Sequence, residues 1–338
     1  MKALVTGGGG FLGRRIVAKL LARGDTVRVL GRRPYPDLEK RGVEAVCADL
    51  QDAAAVERSC LGMETVFHVG ALAGYWGLWQ AFFGPNVVGT QNVLVGCRKA
   101  GVRKLIYTST PSVVSARGGL EHADETVPYP ARYECPYPAT KAMAERLVLQ
   151  ANGADGLLTV SLRPHLIFGP GDPHLFPRII ERGRRGELIQ VGDGTNKVDV
   201  VYVENAADAH LLAADHLEEG SPVNGQAYFI SQGTPVVLWT WINTILERLG
   251  IPRVRRKLSH GMARAVGAAM EMAYTVLPFR GEPRMTRFLA DQLATAHYFD
   301  ISKARRELGY EPKISTEEGL ERTLKAIQID SLSPGGRE

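Results

Sequence analysis

The sequence predicts an α/β fold, a doubly wound parallel sheet with a smaller C-terminal substrate-binding lobe. Three observations carry that expectation. A glycine-rich turn joins the first apolar run to the first helical pattern. Short apolar runs then alternate with helical stretches as far as Arg163, which argues parallel strands with helices on both faces. Past Pro164 the pattern changes: Gly and Pro cluster at 169–173, loops lengthen and helices dominate.

The elements follow in order. Lys2-Ala3-Leu4-Val5-Thr6 reads as a buried strand and breaks at once into Gly7-Gly8-Gly9-Gly10-Phe11-Leu12-Gly13. A helical pattern then runs through Leu21, with Ile16, Leu20 and Leu21 inward. Glycines at 7, 10 and 13 make a tight turn and let the backbone approach a pyrophosphate at a helix N-terminus. A glycine trio alone is weak; strand, turn and helix in this order are what the motif requires. Further strands are expected at 26–30, 45–47, 65–68, 104–108 and 158–163. The core therefore spans 1–163, as a dinucleotide-binding Rossmann unit. The lobe takes 164–328, with a strand at 198–203 and a helix at 205–216 returning to the core. Residues 329–338 read as a loose tail.

The end of the second strand reads the cofactor's ribose, where an NAD site usually places an acid. This chain has Leu30-Gly31-Arg32-Arg33. An arginine pairs with a 2′-phosphate through charge-assisted bonds. NADP(H) is therefore expected over NAD(H), with Arg32 the first choice and Arg33 second. The plainer alternative for each is a solvent-facing side chain.

Tyr137-Pro138-Ala139-Thr140-Lys141 opens an alanine-rich helical stretch. Residues four apart share a helix face, so a phenol and an ammonium are held together. A nearby cation favours phenolate, typically by about 1–3 units from a free pKa of about 10. Such a pair suits proton exchange with a carbinol or carbonyl oxygen.

Together these motifs resemble the extended short-chain dehydrogenase/reductase family, over nearly the whole chain. Val66-Phe67-His68-Val69-Gly70-Ala71 resembles the fourth strand and its cofactor loop, and Asn86 to Val93 the helix that follows. Tyr107-Thr108-Ser109-Thr110 resembles the fifth strand with its catalytic hydroxyl, and Leu162-Arg163-Pro164 the sixth. The resemblance implies that Tyr137, Lys141, Thr110 and Asn86 are catalytic. It implies cofactor contacts from Gly7, Gly10, Phe11, Leu12, Gly13, Val69, Gly70, Ala71, Thr108, Pro164 and His165, besides Tyr137 and Lys141. It also makes Asp49-Leu50 an adenine-contacting pair, although Asp49 could equally cap the next helix. Ser109 and Ser112 compete with Thr110, and His68 has a bland reading as a satisfied histidine.

Within that family the 3β-hydroxysteroid dehydrogenase-like branch fits best. Ser109-Thr110-Pro111-Ser112-Val113, Ala73-Gly74-Tyr75-Trp76-Gly77 and Arg280-Gly281-Glu282-Pro283 are closest in look to bacterial 2-alkyl-3-oxoalkanoate reductases. The implied activity is hydride transfer to the ketone of a β-keto acid. The alternative is a 3β-hydroxysteroid or sterol-4-carboxylate dehydrogenase; a nucleotide-sugar epimerase or a catalytically silent NADP sensor fits less well. An apolar small-molecule substrate would meet Tyr75, Trp76, Trp79, Phe82, Phe83, Phe168, Phe176, Tyr274 and Phe279. Its carboxylate would be met by Arg178, Lys197, Arg280 or Arg284. Helices at 75–100 and 136–150 would pair in a homodimer, using 93–97, Met143, Leu147 and Leu149.

Composition agrees. The 338 residues are 45% hydrophobic, enough for a large core. No run of 18 apolar residues is present, so no membrane span is expected. With the first strand beginning at Lys2, no signal peptide is expected. The stretch 262–277 reads as a helix covering the cleft rather than one lying on a membrane. Cys47, Cys60, Cys97 and Cys135 have no metal or redox spacing, which suits reduced thiols in the cytoplasm. The net charge of +5 and two arginine clusters come with no nucleic-acid motif. No metal site is expected.

Overall fold

The structure is a computed structural model that describes residues 1–115, 118–277 and 281–332. Its centre is a seven-stranded, wholly parallel sheet: β1 (Lys2–Thr6), β2 (Thr26–Gly31), β3 (Glu44–Cys47), β4 (Thr65–His68), β5 (Lys104–Thr108), β6 (Leu158–Pro164) and β7 (Ala227–Ile230). The order is β7-β6-β5-β4-β1-β2-β3. The chain reverses direction across the sheet between β1 and β4, whose ends are aligned with Thr6 opposite His68. Open sheets of this kind bind ligands at that switch point, beyond the carboxyl ends of the strands.

Alternation along the strands builds two cores. Ala3, Val5, Val27, Val29, Phe67 and Ile106 face α1 (Phe11–Ala22). Leu4, Leu30, Val66, Leu105 and Tyr107 face the other way, onto α2 (Ala53–Cys60), α3 (Gly89–Ala100) and α4 (Pro136–Gln150). Successive strand side chains point to opposite faces, so one strand serves both layers. A third core forms the lobe, around Phe168, Phe176, Trp239, Trp241 and Ile245.

The expected doubly wound sheet is present, and six strands fall within a residue of their expected ends. The seventh was assigned to the lobe. Ala227-Tyr228-Phe229-Ile230 is only four residues long, and so short an apolar run carries no period of its own. The expected strand at 198–203 is two pieces in different small sheets. Lys197–Val198 pairs with Val236–Val237 and His297, while Val201–Tyr202 pairs with Ile167–Phe168. The helix expected at 205–216 begins earlier, as α5 (Val203–His216), and packs on α1. Residues 75–78 are loop rather than helix; the helix begins at Trp79–Phe83 and passes through a π-turn, Gly84–Val88, into α3. The stretch expected to cover the cleft is α6 (His260–Val276), followed by α7 (Arg287–Ala294). The last helix, α8 (Thr316–Leu332), runs into the segment expected as a tail.

Candidate active site

The turn after β1 is closed by contacts that only glycine allows. Gly7 has φ +67°, and a Cβ there would lie 2.8 Å from Gly70 Cα. A Cβ on Gly13 would lie 2.2 Å from the Gly7 carbonyl oxygen. Gly10 is the N-cap of α1 and brings no capping side chain. The first-turn N–H groups of Phe11, Leu12 and Gly13 thus remain for an anion. This cradle fits a dinucleotide pyrophosphate.

A buried network fixes the loop beside the turn. Thr6 Oγ1 accepts from Gly70 N–H at 3.1 Å and lies 2.7 Å from His68 Nδ1. His68 Nε2 lies 2.9 Å from Thr90 Oγ1, which donates to the Asn86 carbonyl at 2.6 Å. Those roles set His68 as the neutral Nε2–H tautomer. Burial, with Lys141 adding repulsion, lowers its pKa to about 3. His68 is therefore a satisfied structural group, more buried than expected. Asn86, at the centre of the π-turn, grips Leu72 from both sides: its Oδ1 accepts from Leu72 N–H at 2.7 Å and its Nδ2 donates to Leu72 O at 3.0 Å. The same Nδ2 donates to Thr140 Oγ1 at 3.1 Å, and Thr140 donates to Tyr137 O at 3.0 Å. Asn86 is thus tied to the first turn of α4 through Thr140.

Tyr137 and Lys141 lie in the first two turns of α4. The ammonium does not lower the phenol's pKa, contrary to expectation. Burial pushes Tyr137 up to about 12, and the Thr110 hydroxyl hydrogen-bonded to it offsets part of that rise. Burial also lowers Lys141 to about 7, with Glu145 opposing. Both charged forms are disfavoured for the same reason, desolvation. The Lys141 Nζ instead donates to Thr108 O at 2.6 Å and sits 4.2 Å from the Tyr107 ring centroid. The Thr108 hydroxyl turns away to His210 Nε2, 2.8 Å distant. Thr110 lies 3.0 Å from Ser112 through their hydroxyl oxygens, whereas Ser109 is buried. Of the three competing hydroxyls, Thr110 is thus the one at the phenol.

Glu145 is a residue the sequence reading missed. It continues the Tyr137–Lys141 stripe by one more turn and is fully buried. Tyr129 donates to it at 2.6 Å, Ser161 at 2.8 Å, and Arg163 through two nitrogens. The i, i+4 spacing from Lys141 was the available signal.

Two cavities flank Tyr137. One, of about 490 Å³, is lined by Ser112, Arg132, Tyr133, Pro138, Arg287 and Phe288 among others. The second, of about 470 Å³, is lined by Tyr75, Trp76, Cys135, Pro136, Met272 and Phe288 among others. Pro138 lines the first and Pro136 the second, one on each side of Tyr137 in the chain, and Tyr137 itself lines neither. Several expected aromatics lie elsewhere. Phe82 fills the space under Gly74 and Gly77, and Phe168 and Phe176 pack against Trp241 in the lobe core. Trp79 stacks on Phe83. Tyr274 meets the edge of Trp76, and Phe279 lies outside the described residues. The lining is mixed rather than apolar, with Glu134, Glu271 and Asp291 contributing carboxylates.

Among the described residues, none of the expected carboxylate anchors lines either cavity. Arg178 pairs with Glu282 at 3.1 Å, and Arg284 lies 3.4 Å from Glu187. Lys197 is exposed on its short strand, and Arg280 lies outside the described residues. Arg132 and Arg287 are the cations that line the first cavity, and Arg287 is held by Glu271 at 2.7 Å.

The remaining predicted contacts are scattered around the sheet edge. Arg32 and Arg33 are exposed beyond β2. Asp49 accepts from Gln51 N–H at 2.8 Å; the next helix is capped by Asp52, so the capping alternative is excluded. Leu50 packs on Gly70 and Gly89. Val69 and Gly70 are partly buried beside Gly7, and Ala71 is exposed. Pro164 ends β6, and the buried His165 bonds His297 of the lobe, Nε2 to Nδ1, at 2.7 Å. Among the described residues no group of three or more His, Cys, Asp or Glu is placed to hold a metal.

A glycine cradle at the switch point, with a tyrosine, a lysine and a threonine hydroxyl converging beyond β5, defines an NAD(P)-binding Rossmann oxidoreductase of the extended short-chain type. The chain belongs to the 3-beta hydroxysteroid dehydrogenase/isomerase family, whose model matches residues 4–259. It is 49% identical over 329 residues to the 2-alkyl-3-oxoalkanoate reductase of Stenotrophomonas maltophilia, covering 96% of this chain and 99% of that one. The protein of the same name from Shewanella oneidensis is 45% identical over 331 residues, covering 96% and 85%. Among solved structures, MoeE5 in complex with UDP-glucose and NAD superposes with a TM-score of 0.76 at 27% identity, covering 98% of this chain and all of that one. The chain is an oxidoreductase acting on hydroxyl and keto groups.

Proposed function

We propose that this enzyme reduces the 3-keto group of a 2-alkyl-3-oxoalkanoate with NADPH. The observation that carries this reading is the Tyr137–Thr110 hydroxyl pair, whose neighbours Ser112, Pro136 and Pro138 line two cavities that both carry an arginine. The names of the relatives from Stenotrophomonas maltophilia and Shewanella oneidensis support the same substrate class. The glycine turn, Asp49-Leu50, the 69–71 loop, Lys141 and the Pro164-His165 edge would hold the cofactor. A bound nicotinamide supplies the hydride.

The chain's own residues handle the proton and the substrate. A phenol held near pKa 12 is fully protonated at neutral pH, which is the form a reduction needs. Tyr137 passes that proton to the ketone oxygen as the carbinol forms. Thr110, backed by Ser112, holds the oxygen in line. Lys141 donates to Thr108 O, and so stands ready to bond a ribose hydroxyl and return a proton to Tyr137. Asn86 keeps the Leu72 loop against α4. Arg132 forms no ion pair among the described residues, and it lines the same cavity as Ser112, which suits a carboxylate two carbons from the ketone. NADP(H) preference rests on Gly31, where an acid would repel a 2′-phosphate, and on the exposed Arg32 and Arg33. The four free cysteines suit a cytoplasmic enzyme.

The test follows loss of NADPH absorbance with a 2-alkyl-3-oxoacid, its methyl ester and a 3-oxosteroid. The acid should be the best substrate. Arg132→Met should raise its KM by about 10–100-fold, matching a charge-assisted bond of roughly 1.5–3 kcal/mol, and leave the ester unchanged. An ester or steroid reduced as well as the acid would move the reading to a steroid dehydrogenase or a general carbonyl reductase.

A further inference from the structure

Gly9 and Gly31 share one neighbour. A Cβ built on Gly9 would lie 1.9 Å from Tyr35 Cε1, and its three nearest atoms all belong to the Tyr35 ring. A Cβ built on Gly31 would lie 2.2 Å from the Tyr35 hydroxyl oxygen. No side chain at either position fits while the ring lies there. One tyrosine therefore fills the space that two missing side chains leave, between the glycine turn and the end of β2. That is where the adenosine ribose of a dinucleotide is read. Its hydroxyl occupies the spot where an acid on the second strand would begin.

The surroundings are cationic. Arg14, in the first turn of α1, donates from Nε to Gly9 O at 3.0 Å, and its guanidinium pairs with Asp37. The same guanidinium carbon lies 6.0 Å from the Tyr35 ring centroid. Arg32 and Arg33, exposed just past Gly31, have no ion pair among the described residues.

We propose that Tyr35 is a cofactor-specificity residue. Its phenol, rather than an acid on β2, meets the 2′ position of the adenosine ribose. There it donates a hydrogen bond to a 2′-phosphate whose charge Arg32 or Arg33 balances. Gly9 and Gly31 are required because the ring must lie across both. This rests on the NADP reading above and adds a residue to it.

The experiment measures binding of 2′,5′-ADP and 5′-ADP to the native enzyme and to Tyr35→Phe and Tyr35→Ala. The native enzyme should prefer 2′,5′-ADP. Tyr35→Phe keeps the ring and should weaken 2′,5′-ADP by about tenfold, the scale of a bond to a charged group, while 5′-ADP changes less than about twofold. Retained 5′-ADP affinity reports that each variant is folded. An unchanged preference in Tyr35→Phe overturns the proposal while leaving the NADP reading intact. Tighter binding of both nucleotides in Tyr35→Ala also overturns it, because the ring would then be a plug. A native enzyme that binds both nucleotides equally overturns the NADP reading itself.

Discussion

At Tyr137 the balance between burial and charge decides the chemistry. Spacing places the phenol and the ammonium on one face, but it says nothing about how much water each retains. Desolvation raises one pKa and lowers the other, so the pair exists as phenol beside a lysine that titrates near neutrality. Tyr137→Phe keeps the ring and should leave folding and cofactor binding intact. Its turnover should fall by about 10²–10⁴-fold, and a variant above a third of native turnover would remove Tyr137 from the acid's role. Lys141 gives a pH prediction. Its folded pKa, about 7, lies below its ordinary 10.5, so between those values the unfolded chain binds the extra proton. Stability from this group is therefore present at high pH and is lost as pH falls from about 10.5 to 7. Without cofactor, Lys141→Met should be more stable than the native enzyme at pH 6, by denaturant midpoint, with the gain shrinking towards pH 10. An equal gain at both ends would mean that methionine merely packs better.

At the scale of elements, α4 is the backbone of the site. Tyr137, Lys141 and Glu145 form one stripe, anchored at its inner end by the buried Glu145–Arg163 pair, 2.6 Å apart. Removing one partner of such a pair leaves an uncompensated charge, typically worth about 3–5 kcal/mol. Glu145→Gln should therefore lower stability by that amount and, by loosening the stripe, reduce turnover as well. A change below about 1 kcal/mol would show that Tyr129 and Ser161 alone satisfy the site. The glycine turn, Tyr137 and Lys141 were readable because each is a local pattern with a geometric meaning. The π-turn at Gly84–Val88, the threonines that wire His68 and the Tyr35 ring across two glycines were not. The threonine bonds to His68 join residues 62 and 22 positions apart, the Tyr35 ring reaches back to Gly9, and the π-turn is a helical irregularity that carries no periodic mark. The partners of Arg178 and Arg284 were hidden for a similar reason: each finds an acid of its own, which only the folded lobe reveals.

The whole molecule is a nucleotide-binding sheet with a lobe folded over its carboxyl edge, and His165–His297 is one bond between them. Assembly is the remaining property at this scale. In α3, Val93, Leu94 and Cys97 face the sheet, so most of the stretch expected at an interface is core. Val95 remains 47% exposed and Met143, on the neighbouring α4, 37%. Leu147 and Leu149 are half-buried. Around them stand Arg98, paired with Asp155, and Lys99, paired with Glu57, which gives the face an apolar centre with a charged rim. Such a centre and rim match the anatomy of a protein interface, and one patch of this kind can meet its own copy across a twofold axis. We expect a homodimer that buries Val95 and Met143 at its centre. Light scattering at micromolar concentration should give twice the mass of one chain, and Val95→Glu with Met143→Glu should return it to one. Neither Val95 nor Met143 lines either cavity, so the monomeric variant should still fold and bind NADPH. A native mass of one chain would refute the dimer, and a dimeric double variant would place its interface on another face.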